Sequence, residues 1–336
     1  MDVLSSLNSI VVLALPLLIV ALAGVFSERS GIINIALEGI MCVGATTGFL
    51  ALYGFNKLSF PYEGLWQAQL CVLLSLIIAM AVSGLYALLL AFAAIKLKAN
   101  QTIIGTALNI LPPAIGFCIC WSLIVVNGTP STTINLPTWA QITPESLGVI
   151  DTTNWAVELF LQHLFLTTPI IMIVFVVMTL FLYKTKIGLR LRSCGENPQA
   201  ADSVGINVNK MRYLGTFISG LLGGLGGMQY AMFSGSSYLP ESGVAGYGFL
   251  ALALMIFGNR KPIRILIVSL FFSTFIFLSS QQILLQSWFP TISNLNGYSY
   301  IFKMMPYLLT LIVLIFTSKK SQAPKAEGIP YDKATR

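Results

Sequence analysis

The sequence predicts an all-α, polytopic membrane protein: a bundle of about nine transmembrane helices, within a range of eight to ten, and one short cytoplasmic helix. Of its 336 residues, 56% are hydrophobic and only 9% are charged, and the mean hydropathy is +0.83. A soluble domain carries about 25% charged residues. Long charge-free stretches separate the few charges, and about 20 apolar residues suffice to cross a bilayer. Soluble enzymes, nucleic-acid binders and disulfide-stapled secreted domains are therefore excluded.

Each apolar stretch predicts one span. The predicted spans are 9–26, 32–52, 66–95, 102–126, 159–183, 213–233, 243–258, 263–284 and 304–317. No Lys or Arg precedes the first stretch, which favours a transmembrane helix over a signal peptide. Together the spans predict a single transmembrane domain over 1–318, followed by a cytoplasmic tail at 319–336.

The basic residues predict the orientation. Sixteen of the nineteen Lys and Arg fall in alternate connections and in the tail, whereas the 127–158 connection is acidic and has none. Short cytoplasmic loops accumulate Lys and Arg. A cytoplasmic C-terminus and an external N-terminus follow, for a protein of a cytoplasmic membrane. The net charge of +7 is then a topology signal and needs no nucleic-acid partner.

The segment 27–52 is the least regular part of this topology. Charges at Glu28 and Arg29 stand beside the first span, and Asn34 and Glu38 lie early in the second. A broken or re-entrant helix is tolerated only where protein or water shields it from lipid. Such a helix here would change the count to eight or ten and move the N-terminus to the other side.

Catalytic motifs are missing from the sequence. It has no G-x-x-x-x-G-K-[ST] phosphate loop, no H-E-x-x-H and no G-x-S-x-G, and it has one histidine. Its five cysteines show no C-x-x-C spacing. We therefore expect no catalytic residue, no metal site and no cofactor bound by this chain.

The loop 184–212 contains signals for a short helix. Asn197 is a favoured N-cap, Pro198 suits the first helical position, and Gly205 can adopt the left-handed C-terminal conformation. A helix of about two turns is marginal alone in water, so we expect it to lie against a partner. The alternative is an ordinary solvated loop.

The same loop resembles the coupling loop of ABC-importer permeases, in which a short E-A-A-x-x-x-G helix docks on the ATPase subunit. Gln199 stands where that pattern has glutamate, and Ala200, Ala201 and Gly205 match it. The resemblance implies an ATPase-coupling role for Asn197, Pro198, Gln199, Ala200, Ala201 and Gly205.

Two further segments resemble the nucleoside-type branch of the branched-chain amino acid/simple-sugar permease superfamily. They are Ser27–Gly39 (SERSGIINIALEG) and Ala99–Asn109 (ANQTIIGTALN). With the coupling loop, the resemblance spans about residues 20–260. It implies a permease subunit that forms half of a translocation pathway with a second permease. It also implies a cytoplasmic ATPase that binds ATP-Mg and an extracytoplasmic substrate-binding lipoprotein.

The span 213–233 is rich in glycine. Gly220/Gly224 and Gly223/Gly227 each have small-x-x-x-small spacing, which permits close approach of membrane helices. Tight packing inside the bundle is one interpretation, and a moving, pore-lining helix is the other.

Polar residues within the spans are candidates for the substrate pathway: Asn34, Glu38, Gln101, Asn109 and Gln229. An intramembrane acid normally faces a cavity or a partner. Residues four or eight apart share a helix face, so Asn34 should lie with Glu38, and Gln101 with Asn109. Amides suit a polar uncharged solute such as a nucleoside or a sugar. Hydrogen bonds between helices, or for Glu38 a static contact with Arg29 or a neighbouring helix, explain them equally well.

Three functions remain open from the sequence. The first is a nucleoside permease of an ATP-driven importer, with a simple-sugar permease as its variant. The second is an ion-coupled secondary transporter, which would need an ion site that one acid supports weakly. The third is a membrane enzyme or scaffold, which the missing motifs disfavour.

Overall fold

A computed structural model of the chain describes residues 3–58, 65–126, 129–142, 166–235, 237–280 and 323–332, and five positions between 304 and 311. These parts are almost entirely helical, as predicted. The α-helices are α1 (Val3–Ser30), α2 (Leu37–Lys57), α3 (Leu65–Ile95), α4 (Gln101–Leu123), α5 (Thr167–Lys184), α6 (Lys186–Glu196), α7 (Pro198–Ser203), α8 (Val208–Phe233), α9 (Tyr247–Phe257) and α10 (Pro262–Ser280). Two antiparallel strand pairs join β1 (Val125–Val126) to β2 (Thr129–Pro130) and β3 (Ile134–Asn135) to β4 (Ser237–Tyr238). Short 3-10 turns cover Thr138–Ala140 and Pro240–Ser242.

Seven helical segments among the described residues are long and apolar enough to cross a membrane. This confirms a multi-pass membrane protein. The glycine-rich α8 is not one of these seven, because its glycines lower its mean hydropathy. It nevertheless has 26 residues and sits in the middle of the bundle. The predicted spans 304–317 and the first part of 159–183 fall largely outside the described residues, so a total of nine stays a prediction.

Helix α8 forms the centre of the bundle and packs against α1, α2 and α3. The residues that face one another fix the helix directions. The facing pairs are Gly215 with Ser30, Gly226 with Val20, Gly223 with Ile40 and Gly48 with Met228. Therefore α1 runs antiparallel to α8 and α2 runs parallel to it. The chain thus reverses between α1 and α2, which are two separate helices joined by residues 31–36.

One end of the bundle, here called the basic end, gathers the connections that are rich in Lys and Arg. The Tyr183 hydroxyl, near the end of α5, donates to the carbonyl O of Arg260 at 3.3 Å. Arg260, between α9 and α10, forms an ion pair with Glu28 near the end of α1. At the opposite end, Trp139 Nε1 donates to Asn56 Oδ1 at 3.2 Å. The predicted grouping of the basic loops on one side is therefore reproduced for the described connections.

The outer face of α3 is apolar. Its large exposed side chains recur every three or four residues: Leu70, Leu74, Ile77, Ile78, Val82, Leu85, Leu89 and Phe92. A helix in a soluble protein would place polar residues on such a face. The pattern fits a helix that borders lipid or another membrane subunit.

Candidate functional site

An irregular segment, residues 31–36, separates α1 from α2. Gly31 adopts a φ of +98°, in the left-handed region that favours glycine. The helix then restarts at Leu37, so the predicted span beginning at residue 32 starts five residues too early. Irregular backbone inside a membrane protein needs polar partners for its N–H and C=O groups.

Two side chains of α4 supply those partners. The Ile33 N–H donates to Gln101 Oε1 at 2.8 Å. Asn109 makes two bonds: the Gly39 N–H donates to its Oδ1 at 2.8 Å, and its Nδ2 donates to the Ile35 carbonyl at 2.9 Å. Gln101 and Asn109 do share one face of α4, and that face holds the irregular segment.

Asn34 and Glu38 do not share a helix face, so this prediction is wrong. The spacing argument assumed an uninterrupted helix, whereas Asn34 lies in the irregular segment and Glu38 in the first turn of α2. Asn34 Nδ2 donates to Ser219 Oγ of α8 at 2.9 Å. Its buried Oδ1 has no hydrogen-bond partner among the described residues.

Glu38 binds the N-terminus of α9. The N–H groups of Gly246 and Gly248 donate to its two carboxylate oxygens at 2.8 and 2.6 Å. Unpaired N–H groups and the helix dipole both favour an anion at this position. The alternative of a contact with Arg29 is wrong, because Arg29 pairs with Glu196 at 3.4 Å. The described structure thus gives Glu38 a bracing contact with a neighbouring helix.

Glu38 and Asn109 also line a cavity of about 400 Å³ between α2, α4 and α9. Sequence reasoning missed the other main lining residues, Cys42, Glu241 and Phe249. Glu241 had a detectable signal, since it is a lone acid between two long charge-free stretches. Phe249 and Cys42 had none, because an apolar residue in a span is normally packing.

Gln229 lies elsewhere. It is fully buried, accepts a hydrogen bond from the Thr167 hydroxyl and lies 3.5 Å from the Thr168 hydroxyl, to which its Nε2 donates. These contacts join α8 to α5. Gln229 does not line the cavity beside Glu38, so its structural position is that of a bond between helices.

We expect Asn109→Leu to lower the stability of the protein. The change leaves the Gly39 N–H and the Ile35 carbonyl without partners, and each buried unpaired group costs about 1–3 kcal/mol. Thermal unfolding of the purified protein in detergent measures the loss. The matched control is Thr106→Ala on the same helix, because Thr106 is exposed and its hydroxyl bonds only to the nearby Ile103 carbonyl. Equal melting temperatures for both variants would contradict the role given to Asn109.

The short helix predicted in the 184–212 loop is present as α7. Asn197 Oδ1 accepts from the Ala200 N–H at 3.0 Å, Pro198 is the first helical residue, and Gly205 has a φ of +82°. The same loop contains a second helix that the sequence analysis did not predict, since α6 directly precedes α7. The charged residues of 186–196 obscured that helix in the sequence.

Residues of α7 differ in their exposure. Ala201 is buried against Cys194 and Val208 of this chain, so it packs α7 onto α6 and α8. Burial raises the pKa of the Cys194 thiol, which therefore stays neutral within this cluster. Gln199 and Ala200 are exposed.

An open groove of about 640 Å³ runs between α6 and α7. Leu189 and Val204 contribute its apolar surface and are 61% and 74% exposed. Lys186 and Arg190 add positive charge. Exposed apolar residues rimmed by charge are typical of a surface that binds another protein. We call this surface the α6–α7 groove.

The glycines of α8 lie where neighbouring helices come closest. A Cβ at Gly220 or Gly224 would lie 2.6 Å from side chains of α3, and one at Gly223 would lie 2.6 Å from Ile40. A Cβ at Gly227 would lie 2.0 Å from the carbonyl O of Met41. The two glycine pairs thus face α3 and α2 respectively, in tight packing.

In the described parts of the chain, no three His, Cys, Asp or Glu side chains come together as a metal site would require.

Comparisons with known proteins agree on one family. A family model described as "Branched-chain amino acid transport system / permease component" matches residues 6–316. The chain is 40% identical to the guanosine ABC transporter permease protein NupQ of Bacillus subtilis, over the full length of both. It is 35% identical to the nucleoside ABC transporter permease protein NupC of Lactococcus lactis, over 99% of this chain and all of the relative.

A more distant relative carries a different substrate in its name. The putative glucose ABC transporter permease protein TsgC13 of Haloferax volcanii is 31% identical over 78% of this chain and 72% of its own length. No solved structure gives a significant match. Because the family model and the full-length relatives cover nearly every residue, the chain belongs to the permease-component family of branched-chain amino acid transport systems, the membrane subunits of ABC importers.

Proposed function

We propose that this chain is the permease of an ATP-driven nucleoside importer. The observation that carries the proposal is end-to-end similarity, at 40% and 35% identity, to two permeases named for guanosine and nucleosides. In this family ATP hydrolysis belongs to a separate ATPase subunit, and a substrate-binding protein delivers the solute. The chain is therefore a transporter subunit and not an enzyme.

The remaining partners and the orientation are part of the proposal. A second permease would complete the pathway, and a shorter match to NupB of Lactococcus lactis, at 27% identity over half of this chain, supports a paired subunit. The binding protein would be an extracytoplasmic lipoprotein. The basic end would face the cytoplasm of a bacterium, with the C-terminus and the ATPase, because Lys and Arg accumulate in cytoplasmic loops.

The candidate pathway includes the cavity beside Glu38. Glu38 and Asn109 would shape the cavity and not bind the solute, because their polar atoms are already bonded to backbone groups. Glu241 and Ser242 would hydrogen-bond the sugar hydroxyls of a nucleoside, and the half-exposed ring of Phe249 would contact the base. We expect the cavity, and with it Glu38, to open toward the second permease and not toward lipid, because lipid exposure of an acid is costly.

Gln101 and Gln229 would act on this pathway only indirectly. Gln101 fixes the irregular segment at Ile33, and Gln229 fixes α8 to α5. Asn34 retains a buried, unpaired Oδ1 that a solute or a water molecule could use.

A simple-sugar permease is the second candidate, because the relative from Haloferax volcanii is named for glucose. The cavity offers a discriminating feature. An aromatic face such as Phe249 contributes stacking to a nucleobase, whereas a free sugar would use the polar groups alone. The lower identity and shorter coverage of this relative favour the nucleoside.

Uptake into proteoliposomes that contain the complete importer tests the proposal. With ATP inside, we expect labelled guanosine and other nucleosides to accumulate, and excess unlabelled ribose or glucose to leave that uptake unchanged. Vesicles loaded with a non-hydrolysable ATP analogue are the control. Accumulation of the labelled sugar with no accumulation of nucleoside would replace this proposal with the sugar permease.

A further inference from the structure

Residues 323–332, called the strap here, lie against the basic end of the bundle. The Ala326 N–H donates to the Gly195 carbonyl of α6 at 2.9 Å. The Gly328 N–H donates to the Gly31 carbonyl at 3.1 Å, in the turn where α1 gives way to the irregular segment. Two neighbouring residues of the strap therefore bond to two separate parts of the protein.

Arg212, at the start of α8, is held by the strap. Its side chain is almost fully buried, and its guanidinium donates to the carbonyls of Ile329 at 3.0 Å and Ala326 at 3.5 Å. A buried cation without hydrogen bonds is costly. Carbonyl groups of the strap thus satisfy a charge in the central helix.

Glu327 joins the strap to a buried ion pair. Arg260 binds Glu28 of α1, and its Nη2 lies 3.4 Å from Glu327 Oε2. Burial raises the pKa of Glu327, and the nearby Arg260 opposes that rise. The strap is therefore connected to α1 and to the turn between α9 and α10.

The far end of the strap contacts the apolar cluster that holds α7 in place. Tyr331 packs against this cluster, formed by Cys194, Ala201 and Val208, and Asp332 pairs with Lys98 at 2.6 Å. The exposed Lys98–Asp332 ion pair contributes little stability. Through this cluster the strap shares a packed contact with α6, α7 and α8.

We propose that the strap transmits movement of α6 and α7 to the irregular segment 31–36. This inference rests on the proposed function, with the ATPase docked on the α6–α7 groove so that its movement displaces α7. Coupling between distant sites needs an element that contacts both. The strap bonds to Gly195 on one side and Gly31 on the other, and the segment beyond Gly31 is bonded to Gln101 and to Asn109, of which Asn109 lines the cavity. Parallel connections between α6 and α1 are the surface pair of Arg29 with Glu196 and the packing of the Gly195 backbone against Arg29.

The test compares complete importers that carry the wild-type chain, a chain ending before residue 323, or Glu327→Ala. Lys325→Ala is the matched control, because Lys325 is exposed on the same segment. Three quantities are measured: the amount of assembled complex, ATP hydrolysis and nucleoside uptake. We expect assembled variants to hydrolyse ATP while uptake per ATP falls about tenfold for the truncation and less for Glu327→Ala, within the usual range of coupling energies.

An unchanged ratio of uptake to hydrolysis in assembled complexes would overturn the proposal, as would a loss of both activities in proportion to lost assembly. If the truncated chain does not assemble, the ratio of uptake to hydrolysis in the Glu327→Ala complex decides between these outcomes. This variant is expected to assemble, because Arg260 keeps its bond to Glu28. Failure of the nucleoside proposal is distinguishable, since the wild-type complex would then take up no nucleoside at all.

Discussion

Val204→Glu is expected to abolish ATP-driven uptake while leaving the permease folded. Val204 is 74% exposed at the end of α7, so the substitution disturbs no packing inside the chain. In the importer, this residue would be buried against the ATPase. An unpaired charge buried at an interface costs about 2–5 kcal/mol, which corresponds to a loss of affinity of roughly 30-fold or more.

Two measurements check this prediction: co-purification of the ATPase with the permease, and uptake by proteoliposomes. Val204→Ile is the matched control, because it keeps an apolar side chain at the same position. Val125→Glu is a second control, with a similar exposed apolar residue at the opposite end of the bundle. Wild-type uptake by the Val204→Glu complex would show that the α6–α7 groove does not contact the ATPase.

Gly227→Ala is expected to destabilise the bundle strongly. The added methyl group would lie 2.0 Å from the carbonyl O of Met41, and α2 and α8 would have to separate to accommodate it. Overpacking a tight core typically costs about 1–3 kcal/mol, and contact with backbone leaves no flexible side chain to move. We expect a lower melting temperature in detergent and less folded protein in the membrane.

Gly54→Ala provides the matched control. Gly54 lies near the end of α2, and a Cβ there would have no neighbour within 4 Å. Alanine is also the better helix former by about 1 kcal/mol. The control should melt at or slightly above the wild-type temperature. A Gly227→Ala variant as stable as this control would mean that α2 and α8 are packed less closely than the structure shows.

The sequence predicted the membrane helices well because their signal is local. Runs of apolar residues mark α1, α3, α4 and α10 within a few residues, apart from the earlier start of α1. The start of α7 was also predictable, since the cap at Asn197 and the proline after it act within one turn. Such signals need no knowledge of distant contacts.

Features that depend on distant contacts were not predictable. Residues 31–36 are apolar apart from Asn34. Their non-helical backbone is stabilised by hydrogen bonds to side chains of α4, about 70 positions away in the sequence. The partner of Glu38 is the N-terminus of α9, more than 200 residues away in sequence. The sequence predicted only a cytoplasmic tail at 319–336, whereas its residues 323–332 pack against α6, α8 and the turn after α1.

Identifying the energy source of transport tests the proposed importer function most directly. The chain has no phosphate loop, and of the two acids that line the cavity Glu38 is already bonded to backbone N–H groups, so energy should enter only through a separate ATPase. The purified chain alone, reconstituted in liposomes with an imposed proton or sodium gradient, is predicted to accumulate no nucleoside, whereas the complete importer with ATP does. Gradient-driven uptake by the lone chain would contradict the account and identify a secondary transporter.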